Sequence, residues 1–337
     1  MSYTGFPVKR SVISSEALAQ SVLPRYRIRK LDSCAPLNIG GVNDTYVVHA
    51  GRSRYFLRIY RYDWRSRAEI EAEVDMLNYL SRRGNPISHP VKRDGGYLTR
   101  IAAPEGTRYA VLITDAPGRN PDFSKLESCR RYGNMVAKLH VDADRRRTDS
   151  RRFHLDLSHL IDQPLRHLGP LLTHRPDDCD YLERVGGELR SGIESLLSQT
   201  APEYGFCHGD HHGGNVHEDN QGHMVLFDFD NWGYGWRAYD VGVFLWSHAL
   251  GAGWERAAKA KTRRRWNAFV EGYEQVRSLT EAERAATKLF VPIRHIWLMW
   301  VDTYLQGENW GGGFADHGYF DYHIGFVRQS IKHFRLL

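Results

Sequence analysis

The chain of 337 residues has four cysteines, Cys34, Cys129, Cys179 and Cys207, and no two of them make a C-x-x-C pair. That spacing argues against a disulfide frame or a thiolate zinc site and fits a reducing cytoplasm. No apolar run approaches the roughly 18 residues that span a bilayer. The longest, "VGVFLW" and "HIWLMWV", are of core size. The first residues, "MSYTGFPVKRSVISSEALAQS", contain no apolar signal-peptide core, so no secretory signal and no membrane partner are expected. There is no G-x-x-x-x-G-K-[ST], which disfavours a P-loop nucleotide hydrolase, and no H-E-x-x-H. Internal repeats and low-complexity segments are absent as well.

Hydrophobic residues make up 42% and charged residues 26%, which describes a folded globular chain rather than a disordered one. The net charge of +6 raises the expectation of an anionic partner. Basic clusters at "DRRRTDSRR" and "KTRRRW" are not interleaved with aromatics on one face, and no nucleic-acid-binding motif is found, so nucleic acid is not the expected partner.

The pattern of elements is α+β. "SSEALAQSVL" reads as a helix with a serine N-cap, "YRIRKLDS" as a strand, and "TYVVHA" with "RYFLRIYR" as a hairpin turning at Gly51. A helix follows with Ile70, Val74, Leu77 and Leu80 on one stripe and Gly84 at its end. "GYLTRIAA" and "TRYAVLITDA" are two further strands. "DAPGRNPD" then breaks the pattern, and helices dominate beyond it, with a capping box at Thr280 and Glu283. The expected organisation is a sheet-rich lobe over 1–114, a linker at 115–120 and a helical lobe over 121–337.

One stretch inside the helical part stands out: "FCHGDHHGGNVHEDNQGHMVLFDFDNWGYG", Phe206 to Gly235. Its histidines could suggest zinc, but the paired glycines around them favour an extended loop over a ligand set. The acids and amides are more informative. Asp210 and Asn215 are five apart, and Asn215 and Asp228 thirteen. Between the latter two, the sequence reads strand, polar turn at Glu218 to Gly222, strand. A hairpin of that length returns Asp228 to the side of Asn215, and their oxygens suit a hard cation such as Mg²⁺. Asp210, on the loop before the hairpin, is placed to orient a hydroxyl and accept its proton. Base, amide and carboxylate are the parts that phosphoryl transfer requires.

"HGDHHGGNV…LFDFDNWGYGWRAYDVGVF" resembles the aminoglycoside phosphotransferase/choline kinase-like family, whose pattern is H-G-D-x-x-x-x-N, a strand, D-x-D and a further Asp. The resemblance runs from about Leu37 to the C-terminal end and implies a two-lobe, protein-kinase-like fold using ATP and Mg²⁺. It implies Asp210 as the base, Asn215 and Asp228 as metal ligands, and His208 and Asp240 as braces of the loop. Asp230 either assists the metal or caps the turn. On the nucleotide side it implies that Gly40 and Gly41 approach the phosphates, that Arg58 stands where such folds usually carry a lysine, and that Glu73 is its helix partner. Thr114 and Ala116 fall on the segment that would meet the adenine.

The acceptor is less legible. Val301 to Val327 has no Lys or Arg but four acids and seven aromatics, which suits a cationic or amino-bearing small molecule. Asp302, Glu308 and Trp310 are candidates there, and Trp232, Tyr234 and Trp236 could floor the same site nearer the base. The order "FVEGY…IRHIWL…NWG…YFD" is most similar to the homoserine-kinase-type and stress-response Ser/Thr kinase branches. The expected activity is transfer of a γ-phosphoryl group to a hydroxyl of an amino-acid-like, amino-alcohol or aminoglycoside-type molecule. A protein Ser/Thr kinase and a catalytically silent nucleotide-binding regulator are the alternatives, and the sequence leaves ATP against GTP open.

Overall fold

The computed structural model describes residues 6–38, 42–310 and 315–336, without side chains at 38 and 306–310. The chain divides into two compact units, Met1–Ala116 and Pro117–Leu337. The division falls within the stretch 115–120 that the Pro/Gly break marks.

The first unit contains α1 (Ser15–Ser21), β1 (Leu31–Asn38), β2 (Asp44–Ala50), β3 (Ser53–Ile59), α2 (Arg67–Arg82), β4 (Leu98–Ala103) and β5 (Gly106–Thr114). The strands form an antiparallel sheet in the order β1-β2-β3-β5-β4. Alternation along β2 buries Tyr46, Val48 and Ala50, and Tyr46 and Val48 share one core cluster with Leu57, Ile59, Ala110 and Leu112. The β2–β3 turn forms at Gly51, where φ is +63°. The strand expected from "YRIRKLDS" starts only at Leu31. Tyr26 follows a 3-10 turn containing Pro24 and is buried in the core, so the apolar residue that suggested a strand packs from a turn.

α2 opens with a capping box, in which Ser66 Oγ accepts from Glu69 N–H and the Glu69 carboxylate accepts from Ser66 N–H. Its buried stripe comprises Ile70, Val74, Leu77 and Leu80 and also Glu73, a carboxylate that burial would penalise without a partner. Inside β5, the buried Arg108 donates to Asp44 Oδ2 at 2.7 Å and to the carbonyls of Tyr60 at 2.9 Å and Ser11 at 3.0 Å. It thereby ties the N-terminal segment and the start of β2 to the sheet.

The second unit contains α3 (Leu126–Asp144), β6 (His154–Leu155), α4 (Gln163–Leu171), α5 (Pro176–Leu196), β7 (Tyr204–Cys207), β8 (Val216–Glu218), β9 (Met224–Leu226), β10 (Gly233–Trp236), α6 (Arg237–Ala252), α7 (Arg256–Glu274), α8 (Glu281–Trp310) and α9 (His317–Phe334). The expected box opens α8: Thr280 Oγ1 accepts from Glu283 N–H at 3.1 Å, and Glu283 Oε2 accepts from Thr280 N–H at 3.0 Å. α3 and α7 approach closely because each carries a glycine at the crossing. A Cβ on Gly133 would overlap the Phe269 carbonyl, and one on Gly272 the Arg130 carbonyl. No helix among the described residues is long and apolar enough to cross a membrane. The expected α+β plan, a sheet-rich unit followed by a helical one, therefore holds.

Candidate active site

The motif segment starts on β7, which pairs antiparallel with β10, while β10 runs parallel to β6. These strands are two to four residues long, too short for a pattern of alternation to announce them. They fix where the loop leaves the core. Gly209 follows with φ +80°, and a Cβ there would strike the Asn231 carbonyl, so glycine is required between His208 and Asp210.

Asp240, on the first turn of α6, holds this loop by its backbone. Its Oδ2 accepts from His208 N–H and its Oδ1 from Gly209 N–H, each at 2.7 Å. His140 Nε2 lies 2.9 Å and His211 Nε2 3.1 Å from Oδ2. Burial would raise the Asp240 pKa, but His211 and His140 outweigh it and hold the carboxyl well below the usual range. The far nitrogens of these rings reach tyrosines: His140 Nδ1 is 2.9 Å from Tyr273 Oη and His211 Nδ1 3.4 Å from Tyr132 Oη. The sequence alone does not pick out His140, and it suggests His211 only as a zinc ligand. His211 lies inside the motif, but His140 is 100 residues from Asp240, and no local pattern links them.

His208 joins the loop to the next segment. Its Nδ1 accepts from Asp210 N–H at 3.2 Å, and its Nε2 donates to the Phe227 carbonyl at 3.1 Å. The hairpin inferred from the thirteen-residue interval is present as β8 and β9, with Val216 opposite Leu226 and Glu218 opposite Met224. Phe227 N–H donates to the Asn215 carbonyl at 2.9 Å, so Asp228 follows directly on the residue paired with Asn215. Asp228 has φ +63°, in the left-handed region that costs a non-glycine residue about 1 kcal/mol. Such strain persists where surrounding structure imposes it and is concentrated at functional positions.

Asn215 Nδ2 donates to the Asp210 carbonyl at 3.0 Å and to Asp210 Oδ2 at 3.2 Å. This commits the amide nitrogen and leaves the amide oxygen turned away. Asp210 Oδ1 is held by Arg294 on α8 at 2.5 Å, and His212 Nε2 lies 3.6 Å from Oδ2. Burial would raise the Asp210 pKa, but Arg294, then His212 and His208, more than offset it, so the carboxyl stays ionised. Arg294 is itself buried, with Trp246 and Trp297 rings 5.0 and 4.3 Å away. Sequence reasoning missed it because it is 84 residues from Asp210 on an apolar helix; its charge among apolar neighbours in "PIRHIWLMW" is the signal that could have found it.

The other expected residues are placed as follows. Arg58 on β3 and Glu73 on α2 form an ion pair at 3.0 Å, nearly removed from solvent. Thr114 closes β5, its Oγ1 accepting from His89 N–H at 2.9 Å, and Ala116 is buried. Gly40, Gly41 and the side chains of Glu308 and Trp310 lie outside the described residues. Asp230 is buried in a 3-10 turn, Phe229–Asn231, whose Asp230 carbonyl is taken by Arg152.

Trp232, Tyr234 and Trp236 correct the sequence expectation of an acceptor floor. They are buried in the core: Trp232 stacks on Phe206, Tyr234 Oη accepts from Asp149 N–H, and Trp236 Nε1 donates to the Ser198 carbonyl. β10 is buried along its whole length, so its sequence carries no polar–apolar alternation to show that these aromatics face the core. Asp302 on α8 is only partly buried, and the Tyr319 hydroxyl of α9 lies 3.5 Å from its Oδ2. Burial pushes its pKa up to about 6, against the pull of Arg294.

Residues 33–279 match the model of the phosphotransferase enzyme family, APH. The chain belongs to this family. An uncharacterized protein of Synechocystis, sll1119, is 35% identical over 87% of this chain and 79% of its own length. A homoserine kinase of Methylobacillus glycogenes is 24% identical over 79% of this chain and 78% of its own. Among solved structures, an amicoumacin kinase in complex with AMP-PNP, Ca²⁺ and Ami superposes with a TM-score of 0.77 over 95% of this chain and 94% of that one, at 22% identity. A microcompartment-associated aminopropanol kinase gives 0.70 over 94% and 95%, at 25% identity. The family reading of the motif is thus confirmed, and homoserine kinases are among the relatives, as the order of the C-terminal motifs implies.

Proposed function

We propose that this member of the phosphotransferase enzyme family transfers the γ-phosphoryl group of ATP to a hydroxyl of a small, amino-bearing molecule, with Asp210 as the base. The observation that carries the reading is the arrangement of Asp210, Asn215 and Asp228. The amide nitrogen of Asn215 is bonded to Asp210, its oxygen is left for another partner, and the hairpin returns a strained aspartate to its side.

The donor set fits a divalent cation. An amide oxygen and a carboxylate are ligands that Mg²⁺ accepts together with water and phosphate oxygens. Asn215 and Asp228 would hold the ion, which when bound neutralises charge on the phosphates. The chain's own groups do the rest. Within the first unit, Arg58 paired with Glu73 is a permanent cation with a planar fork of the kind that suits phosphate oxygens. Asp240 and His208 fix the loop so that the Asp210 carboxylate need not reorganise. Asp210 accepts a hydrogen bond from the acceptor hydroxyl, aligns its oxygen for in-line attack and receives the proton as the bond to phosphorus forms and the bond from the γ-phosphorus to the β–γ bridging oxygen breaks, releasing ADP.

Asp302 is the group in the helical unit best suited to an acceptor's ammonium. It is partly open and burial raises its pKa to about 6, so a bound cation would favour its ionised form. The likeness to the aminopropanol kinase supports an amino alcohol as the first acceptor class to try. The test is incubation with Mg-ATP and a panel of amino alcohols, hydroxy amino acids and aminoglycosides, with products identified by mass spectrometry. The reading expects a phosphate monoester from at least one amino-bearing compound and none with Asp210→Ala. A phosphorylated protein side chain in place of a small-molecule product would refute it.

A further inference from the structure

Arg294 has no part in the scheme above, yet it makes the shortest contact to the base. Placing a guanidinium in the interior is unfavourable unless its charge is paired and hydrogen-bonded. Here NH2 donates to Asp210 Oδ1 at 2.5 Å, and NH1 is 3.3 Å from Tyr239 Oη and 3.4 Å from the Gly209 carbonyl. The faces of the group meet Trp246 of α6 and Trp297 of α8. NH1 and NH2 are thus directed at Tyr239 of α6 and at the loop that carries the base, Nε is buried without a hydrogen-bond partner, and packing on two helices fixes the position of the group.

The two oxygens of Asp210 are consequently different. Oδ1 is engaged by a charge-assisted bond at 2.5 Å; Oδ2 has only longer contacts, 3.2 Å from an Asn215 nitrogen that is shared with the Asp210 carbonyl and 3.6 Å from His212 Nε2. We propose that Arg294 is a positioning residue: it clamps Oδ1 of Asp210 so that Oδ2 is the oxygen presented to the acceptor hydroxyl. This rests on the reading of Asp210 as the base. α8 also carries Asp302, eight residues or about 12 Å of helical rise beyond Arg294. One rigid helix therefore holds both the base and the group assigned to the acceptor's ammonium, so their separation sets which amino-hydroxyl spacings are aligned.

The experiment is a double-mutant cycle on phosphoryl transfer, with ATP hydrolysis by water as the readout that needs no identified acceptor. Variants are Arg294→Gln, Arg294→Lys, Asp210→Asn and the Arg294→Gln/Asp210→Asn pair, each checked for folding by thermal melting and for Mg-ATP affinity by calorimetry. A misaligned reacting group costs about 100-fold in rate. The expected result for Arg294→Gln is a loss of that order in kcat, with nucleotide affinity unchanged. Lysine should restore part of the rate, and the double variant should be no slower than Asp210→Asn alone, because both changes act through one carboxylate. If Arg294→Gln melts below the assay temperature, the lysine variant, which keeps the charge, carries the same comparison. Wild-type kcat in a folded Arg294→Gln or Arg294→Lys protein, or losses that multiply in the double variant, would overturn the clamp. Full turnover in Asp210→Asn would remove the base assignment, and the clamp with it.

Discussion

Asp240 and Gly209 are joined by a 2.7 Å hydrogen bond from backbone N–H to carboxylate, and the same carboxylate takes the N–H of His208. The loop that presents Asp210 is therefore held by its main chain, independently of the side chains it displays. Asp240→Asn would place an NH₂ group against donors. Breaking a buried ionic network of this kind costs about 3–5 kcal/mol. Urea unfolding should show that loss as a lower midpoint with an unchanged m-value. A variant within 1 kcal/mol of wild type, on the same scale of mutational effects, would mean that the loop has other support.

The buried histidines give the fold a particular acid sensitivity. Burial lowers the pKa of His140 and of His208 to about 3. In the unfolded chain histidine titrates near 6.5, so below that pH the unfolded state binds more protons than the native state and stability falls as pH falls. Each group removes about 1.4 kcal/mol per pH unit between roughly 6.5 and 3. The melting temperature should drop between pH 7 and pH 5, the protonation of Asp302 near pH 6 offsetting only one of the two groups there. A melting temperature that is flat across that interval would contradict neutral burial of these rings.

Gly133→Ala and Gly272→Ala each insert a methyl group where α3 and α7 meet main chain to main chain. A backbone carbonyl cannot rotate away as a side chain can, so the helices must separate. Overpacking of this kind typically costs 1–3 kcal/mol or more, about the upper end here. Guanidinium denaturation of the two variants should show it, and an increase in stability in either would mean that the helices can separate freely.

Asp302→Asn should separate stability from function. A carboxyl whose pKa is raised to about 6 disfavours the native state as pH rises from its unfolded value to 6, so amide replacement should stabilise the protein at pH 7, by up to about 3 kcal/mol. The same change should raise KM for amine-bearing acceptors. In the wild type, that KM should rise as pH falls below about 6; in Asp302→Asn it should not follow pH there. Equal KM values for the two proteins at pH 7 would remove Asp302 from the acceptor site.

Local rules made parts of this molecule readable in advance. The capping box at Thr280 and Glu283, the stripe of α2 and the hairpin bringing Asp228 to Asn215 each depend on spacings within about a dozen residues, where chain geometry leaves few options. What could not be read depends on distant packing. Arg294 meets Asp210 across 84 residues, and His140 meets Asp240 across 100. The short strands β6, β7 and β10 exist because they pair with one another, not because of their own composition. Trp232, Tyr234 and Trp236 show the opposite error. Aromatics beside a catalytic motif suggest ligand contact, but they fill the core beneath it.

The central claim is tested most directly by single-turnover phosphoryl transfer from Mg-ATP, comparing wild type with Asp210→Asn at saturating nucleotide. The account predicts a rate lower by about 10²–10⁴, the range of general-base catalysis, with Mg-ATP bound as tightly as before. Transfer at the wild-type rate by a variant without the Asp210 carboxylate would contradict it.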